Sequence, residues 1–422
     1  MARLTGAVIN VYSEGALSID AGARGTAAIA MEYDWYDDGV ICVYNADDSA
    51  KSVFAHELND MIYLREMMKR AAKALVWPLY SGGTKASAAI GDGITITAKK
   101  CGERGNDLSV ICEACGELWT VTTFLNGDEV DSQVIAGAAE FEGNSFVEMS
   151  GEGALEAATV VLSGGQNGEM GKNSYSKFLE ALEYCDYNVI AYTGDDNAVK
   201  SEIEVFVKQQ RKDGKFIQAC MGNYPVDCEG IISFVNGVVL ADGVKLDCNE
   251  VSAWLAGATA AADVNESLTY DSYDGAAAVN GELKVSGQLE AKNKGLGCFI
   301  MNNGVVKVES DINTLITYTA KKKKDFCKNR VLRVVDGVCS DIKRVFDSSF
   351  AGHENNNTDG RNRFKASICD YMTALMEKNA IENFVSDDVE VTMGSDKDQV
   401  VVSLRVQPVD SMEKADITVK VR

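Results

Sequence analysis

The sequence predicts a multidomain α/β protein: an α/β core interrupted by a small all-β module and followed by a further α/β domain. Three observations carry this. At 422 residues the chain exceeds one ordinary domain. Strand-like apolar runs alternate with helical stripes from Thr26 to Leu79, and again from Lys172 onward. Between Gly93 and Ser163 that rhythm gives way to short alternating runs separated by turn residues.

The first 22 residues hold one strand-like run, Gly6–Tyr12, with Gly6, Val8, Ile9 and Val11 in it and no hairpin partner beside it. A lone terminal strand must pair with something distant, another chain included. Val40–Tyr44 reads as a strand. A helical stripe follows from His56 to Leu75 through Leu58, Met61, Ile62, Met68 and Ala72. Ala74–Leu79 reads as a buried strand ending at Gly82-Gly83.

In the module, Ile94–Ala98, Leu108–Cys112, Leu118–Phe124 and Thr159–Leu162 are the strand candidates. Asn126-Gly-Asp128 is a hairpin signal. Beyond it, helices are expected around Tyr175–Leu182, Val199–Val207 and Val251–Ala262. Strands are expected at Tyr187–Tyr192, Phe216–Cys220 and Ile231–Val235. Alternation at this spacing implies a largely parallel sheet covered on both faces. The last third carries an amphipathic helix through Phe364, Ile368, Tyr371, Met372 and Leu375, then strands at Val389–Thr392, Val400–Val406 and Ile417–Val421.

Composition excludes several function classes. With 41 basic against 63 acidic residues the net charge is −22, which repels nucleic acid and anionic membranes. The amino terminus has no apolar run after Arg3 and does not read as a signal peptide. No 18-residue apolar stretch suited to a membrane-crossing helix occurs. The 12 cysteines are scattered, as expected of reduced thiols in a cytoplasmic protein. Cys112-Glu-Ala-Cys115 is the close pair. A zinc site would want a second pair or nearby histidines, and the chain has only His56 and His353.

Catalytic motifs are incomplete. Gly164–Asn173 resembles a phosphate-binding loop, but five residues separate Gly165 from Gly171-Lys172, and Asn173 stands where magnesium needs Ser or Thr. No Gly-x-Ser-x-Gly elbow accompanies the two histidines. No catalytic residue, metal ligand or cofactor is therefore assigned. The densest charge run is Lys321-Lys-Lys-Lys324. Residues 313–346 hold nine Lys or Arg against three Asp in an otherwise acidic chain. The run is either a solvated face at a helix start or a patch that docks on an acidic protein surface.

Through Val400–Lys414 and the closing run Ile417–Val421, the carboxy-terminal third resembles contractile tail sheath proteins of phages and R-type bacteriocins. Val400–Lys414, with the closing run Ile417–Val421, is similar to that family's terminal signature, and Gln407–Lys414 is its most specific block. Asp311–Ile316, Lys324–Arg330, Asn357–Arg361, Ser163–Gly168 and Gly82–Ser87 fit the same family. The resemblance implies a subtilisin-like α/β core without catalytic residues, an inserted β module, and a carboxy-terminal α/β domain ending in exchanged strands. The expected bounds are 1–22 for the arm, 23–92 and 164–310 for the core, 93–163 for the module and 311–422 for the last domain.

The implied function is that of a structural, non-enzymatic subunit. It would polymerise helically around an inner tube and contract to drive the tube through a target envelope. Its implied partners are further copies of itself, the inner tube, and baseplate and tail terminator proteins, with no nucleic acid and no membrane insertion. Assembly would take place in a bacterial cytoplasm. Residues Ile417, Val419 and Val421, with the amino-terminal run, would form intersubunit strands. Lys321, Lys322, Lys323, Lys324, Lys328, Arg330 and Arg333 would dock on the tube or a neighbour. Competing readings are a nucleotide-dependent enzyme on a Rossmann-like core and a non-contractile shell protein.

Overall fold

A computed structural model describes residues 24–421. The run Gly6–Tyr12 lies outside them. The chain opens with β1 (Thr26–Met31), β2 (Cys42–Asn45), the short helices α1 (Ala50–Phe54) and α2 (Ile62–Met68), and β3 (Lys73–Pro78). β1 and β3 are parallel, and β2 adds antiparallel to the outer edge of β3. The long stripe expected from His56 to Leu75 is only partly helical, for α2 has 7 residues and Leu75 lies in β3. Ala72 and Lys73 both donate amides to the Gly25 carbonyl, which ties the start of β3 to the residue before β1.

The chain then leaves the sheet through β4 (Tyr80–Ser81), β5 (Ser87–Ala89), β6 (Ile94–Ala98), β7 (Leu108–Cys115), β8 (Leu118–Leu125), β9 (Asp128–Ile135), β10 (Val147–Gly151), β11 (Ala158–Val161) and β12 (Glu169–Met170). One antiparallel sheet runs β10-β6-β5 and another β11-β7-β8-β9. Ile94, Ile96, Val110, Val121 and Phe146 share one core, and burial alternates along β6 as the period of two demands. Asn126 and Gly127, at φ 52° and 87°, make the tight β8–β9 turn that this residue pair favours. At the hairpin's other end Gly116, at φ 69°, turns β7 into β8, with Glu117 exposed beside it. The expected module start at Gly93 cuts this sheet, because β5 pairs with β6. Ser-Ala-Ala is too short and small to stand out in sequence as a strand. Trp35, from the segment after β1, is fully buried in the module's core, 6.2 Å from the Phe146 ring.

The chain returns through α3 (Ser174–Leu182), β13 (Val189–Tyr192), α4 (Asn197–Lys212), β14 (Gln218–Gly222) and β15 (Ile231–Phe234). The completed six-stranded sheet has the order β15-β14-β13-β1-β3-β2, with every pair parallel except that of β2. Strands buried on both faces carry continuous apolar runs, and side chains sort by parity. In β1, Ala27 and Ile29 enter one core while Ala28 and Ala30 enter the other; in β3, Ala74 and Val76 oppose Leu75 and Trp77. Burying Phe178 and Leu182 of α3 against the second face stabilises it by about 1.5–3 kcal/mol per side chain.

A second layer follows: β16 (Gly237–Leu240), β17 (Lys245–Leu246), α5 (Ser252–Ala261), β18 (Ala276–Asn280), α6 (Val285–Asn293), β19 (Phe299–Asn302) and β20 (Val305–Val308). Helix α5 packs on β1, β13, β14 and α2. Gly257 permits that approach, because a Cβ there would meet the Met67 carbonyl at 2.2 Å. The last unit comprises α7 (Asn329–Val345), α8 (Thr358–Glu377), β21 (Val389–Met393) and β22 (Val400–Leu404). Asn357 caps α8 by accepting from the Gly360 amide. Val334, Val338, Phe364, Ile368 and Met372 join the two helices in one core beneath the β21–β22 hairpin. That hairpin is a sheet of 2 strands, so both outer edges lack a partner among the described residues.

Candidate assembly interface

The glycine-rich segment before α3 does not form a phosphate cradle. Three of its amides are taken: Gln166 donates to the Thr84 carbonyl, Gly165 to Asn106 Oδ1 and Gly168 to the Tyr36 hydroxyl. The glycines serve close packing, since a Cβ at Gly168 would meet the Ser81 carbonyl at 1.9 Å. Lys172 is exposed beside it. His56 Nε2 lies 2.5 Å from Asp34 Oδ1. Burial opposes ionisation of Asp34, but the His56 hydrogen bond prevails and lowers its pKa. His353 is exposed in the loop before α8. Cys112 is buried and Cys115 exposed on the same strand, and no cluster of three or more metal-ligating acidic, His or Cys side chains occurs among the described residues.

The basic segment divides into residues free to meet a partner and residues already engaged. Lys321, Lys323 and Lys324 are exposed before α7. Lys322 is exposed too, but its ammonium bonds Glu229. Burial raises the Glu229 pKa, and the Lys322 hydrogen bond outweighs this and lowers it. Lys328 reaches Asp410 at 2.8 Å and Glu413 at 2.5 Å. Burial alone would lower its pKa; the bonds to Asp410 and Glu413 prevail and raise it. Arg330 is half-buried. Arg333 is 2% exposed and donates to the Glu266 carbonyl at 2.6 Å. The expectation that Arg333 docks on a partner is therefore corrected: as the fifth residue of α7 it turns toward the protein interior. Lys328 likewise holds the chain's own tail.

That tail is the second surface. Glu382 donates its amide to the Gln407 carbonyl and Val409 its amide to the Ala380 carbonyl, so the root is fixed beside α8. Glu413 also accepts from the Thr269 hydroxyl at 2.9 Å. Past Lys414 no helix or strand is assigned, and no ladder to the rest of the protomer forms among the described residues. Ile417, Val419 and Val421 are 83%, 78% and 92% exposed. Sequence reading missed Glu229, Asp410 and Glu413 as partners of the basic segment; no local pattern signals ion pairs so distant along the chain.

The profiles of the phage tail sheath beta-sandwich, central and C-terminal domains match residues 81–167, 168–314 and 321–422. Phage-like element PBSX protein XkdK of Bacillus subtilis (strain 168) is 32% identical, covering 96% of this chain and 94% of that protein. The crystal structure of the sheath tail protein from Desulfitobacterium hafniense is 37% identical and superposes with a TM-score of 0.82, over 96% of this chain and 97% of the other. The helical sheath of the anti-feeding prophage in its contracted state shares the fold alone, at a TM-score of 0.61 and 12% identity over 100% of this chain and 99% of the other. With sheath-family profiles over all three regions and a sheath tail protein alike along nearly its whole length, the chain belongs to the phage tail sheath family.

Proposed function

We propose that this chain is the repeating subunit of a contractile sheath, polymerising helically around an inner tube and contracting to drive that tube through a target envelope. Its family is structural and not enzymatic. The observation that carries the reading is the tail: Ile417, Val419 and Val421 project apolar side chains at the period of a strand, without a strand partner in their own protomer among the described residues. The β21–β22 hairpin offers two edges, without a strand partner among the described residues, on which such strands can add. The arm 1–22, carrying Gly6, Val8, Ile9 and Val11, is the second donor. Extended at roughly 3.3 Å per residue, about 20 residues reach ~65 Å, enough to span to a neighbour.

Head-to-tail contacts that do not close generate helices. Exchanged strands keep main-chain hydrogen bonds while the bodies between them move as rigid units. The parallel sheet is read as a subtilisin-like core emptied of catalytic groups, supported by its strand order and by a histidine whose Nε2 is already engaged with Asp34. Lys321, Lys323 and Lys324 are the remaining candidates for the tube-facing patch. Baseplate and terminator contacts complete the proposed partner set, and assembly is placed in a bacterial cytoplasm.

The test is negative-stain microscopy of purified protein. Full-length chain should form tubes or rings, and deletion of residues 1–22 or of 415–422 should leave a folded monomer that forms neither. Ordered tubes from both truncations would refute strand exchange, and tubes of one fixed length under every condition would favour a non-contractile shell.

A further inference from the structure

Charge is spread unevenly along the chain. Residues 105–171, which carry β7 to β12, contain no Lys, Arg or His against 12 Asp or Glu, so this stretch holds 12 of the 22 net negative charges. Every one of these acidic residues is exposed except Asp131, which is half-buried. Ion pairs among the described residues reach only Asp107, Asp128 and Glu148, through Arg104, Lys51 and Lys85. A soluble surface ordinarily mixes both signs, as the rest of this chain does with 41 basic against 51 acidic residues.

The same stretch ends a sheet on an open edge. β9 is the last strand of β11-β7-β8-β9 and has 8 residues, with no strand on its outer side among the described residues. Val134 stands 61% exposed on it. A long edge with an exposed apolar side chain is a template for another chain's strand. Carboxylates surround this one. Asp128, Glu129 and Asp131 lie within β9. Glu113 shares a cross-strand row with Val134, through Thr120. Beyond the strand, Glu140 accepts the Ala136 amide at 2.8 Å. The Gln133 side chain bonds the Glu142 amide at 3.1 Å and its carbonyl at 2.7 Å. These bonds hold the segment 136–142, with two more carboxylates, beside β9.

We propose that this one-signed surface guards the β9 edge: it keeps copies of the chain from pairing edge to edge through their β modules, so that copies join through other parts of the chain. Paired strands lie about 4.8 Å apart, and screening at physiological salt extends over about 8 Å. Two β9 edges at pairing distance therefore set their carboxylates against each other inside the screening length. Like charges facing one another across a strand pair are destabilising. Residues 105–171 of either copy supply no cation to offset them. The guard rests neither on strand exchange nor on contraction, since it acts between any two copies.

Sedimentation velocity and hydrogen–deuterium exchange on the full-length chain test this, below the concentration at which microscopy shows tubes. Glu113→Gln, Glu117→Gln, Glu129→Gln and Glu142→Gln together remove four exposed charges that have no ion pair among the described residues, and keep the side-chain shape. This variant should sediment at twice the mass of the unaltered chain or more. Its amides in 128–135 should exchange about tenfold more slowly as the edge becomes paired. A control with Glu180→Gln, Glu282→Gln, Glu377→Gln and Asp387→Asn, four exposed acids outside the module, should keep the unaltered mass. A module variant that also keeps that mass would overturn the guard. Association with unchanged exchange in 128–135 would overturn the assignment to β9. Equal association of the control would show that total charge keeps copies apart, which overturns the module's part in it.

Discussion

Arg211, on α4 of the parallel-sheet unit, donates two hydrogen bonds to Asp336, on α7 of the carboxy-terminal unit, and both side chains are about 10% exposed. The pair is the most buried two-point ionic link between these units among the described residues, and it should behave as one element. Removing one partner leaves a buried charge, which is usually worse than removing both. Arg211→Met should destabilise the protein by about 3–5 kcal/mol in urea unfolding. The double change Arg211→Met with Asp336→Leu should recover most of that loss. Additive losses would mean the two residues act independently.

A second prediction concerns the root of the tail. Lys328→Met removes the bonds to Asp410 and Glu413, each a charged hydrogen bond contributing about 1.5–3 kcal/mol at most. Protease cleavage within 409–414 should accelerate while the melting temperature moves little, because the fold's cores are untouched. Unchanged cleavage would show that Thr269 and the main-chain bonds of Gln407 and Val409 suffice.

The exposed lysines give a third. Changing Lys321, Lys322, Lys323 and Lys324 together to Gln should yield sheaths that contract early or assemble without a tube. An exposed pair is worth about 0–1 kcal/mol, but a helical array repeats it many times. High salt should imitate the change, since surface pairs are screened over about 8 Å at physiological ionic strength. Counting extended and contracted particles across a salt series reads the effect. Unchanged extended particles throughout would return the run to a solvated face.

A fourth prediction is negative by design. Lys172→Ala and His56→Ala should leave assembly unchanged, and calorimetric titration with ATP and magnesium should show no specific heat. The amides of Gln166, Gly165 and Gly168 in the glycine-rich segment are already bonded to Thr84, Asn106 and Tyr36. Micromolar binding abolished by Lys172→Ala would reopen the nucleotide reading.

The fifth is a pH dependence. Asp274 is bonded by Arg70, at 2.5 Å to Nε, and by the Trp254 indole at 3.0 Å. Burial would raise its pKa, but those bonds prevail and hold it below the usual carboxylate value. A depressed pKa contributes stability above the unfolded value of about 4, lost as pH falls through the folded value. Thermal stability should therefore drop below pH ~4, and Arg70→Met should make that drop shallower. An identical acid limb in the variant would show that other carboxylates control it.

The parallel core was legible because both faces are buried: Val189–Tyr192 is a continuous Val-Ile-Ala-Tyr run, and Ile231–Phe234 is interrupted by Ser233 alone. The Asn126-Gly127 turn was legible because its backbone geometry suits few other residue pairs. Less legible was 237–308, where strands of two to five residues such as Lys245–Leu246 carry too few side chains to show a period. The basic segment was visible as charge, yet its division into exposed Lys321 and buried Arg333 depends on the helical phase of α7 and on acids that lie far away in sequence. Burial of Trp35 in the module was not foreseeable, since a lone Trp after a strand suits many neighbours.

The β7–β8 turn at Gly116–Glu117 has a use unrelated to assembly. A side chain added at Gly116 would meet nothing within 4 Å, and the hairpin beneath is registered by a continuous ladder from Leu108↔Leu125 to Cys115↔Leu118. Exposed tips on a well-registered hairpin accept insertions with little loss of stability. A foreign epitope spliced between Gly116 and Glu117 would be carried once per subunit, so a polymer of this chain would serve as a regularly spaced display scaffold.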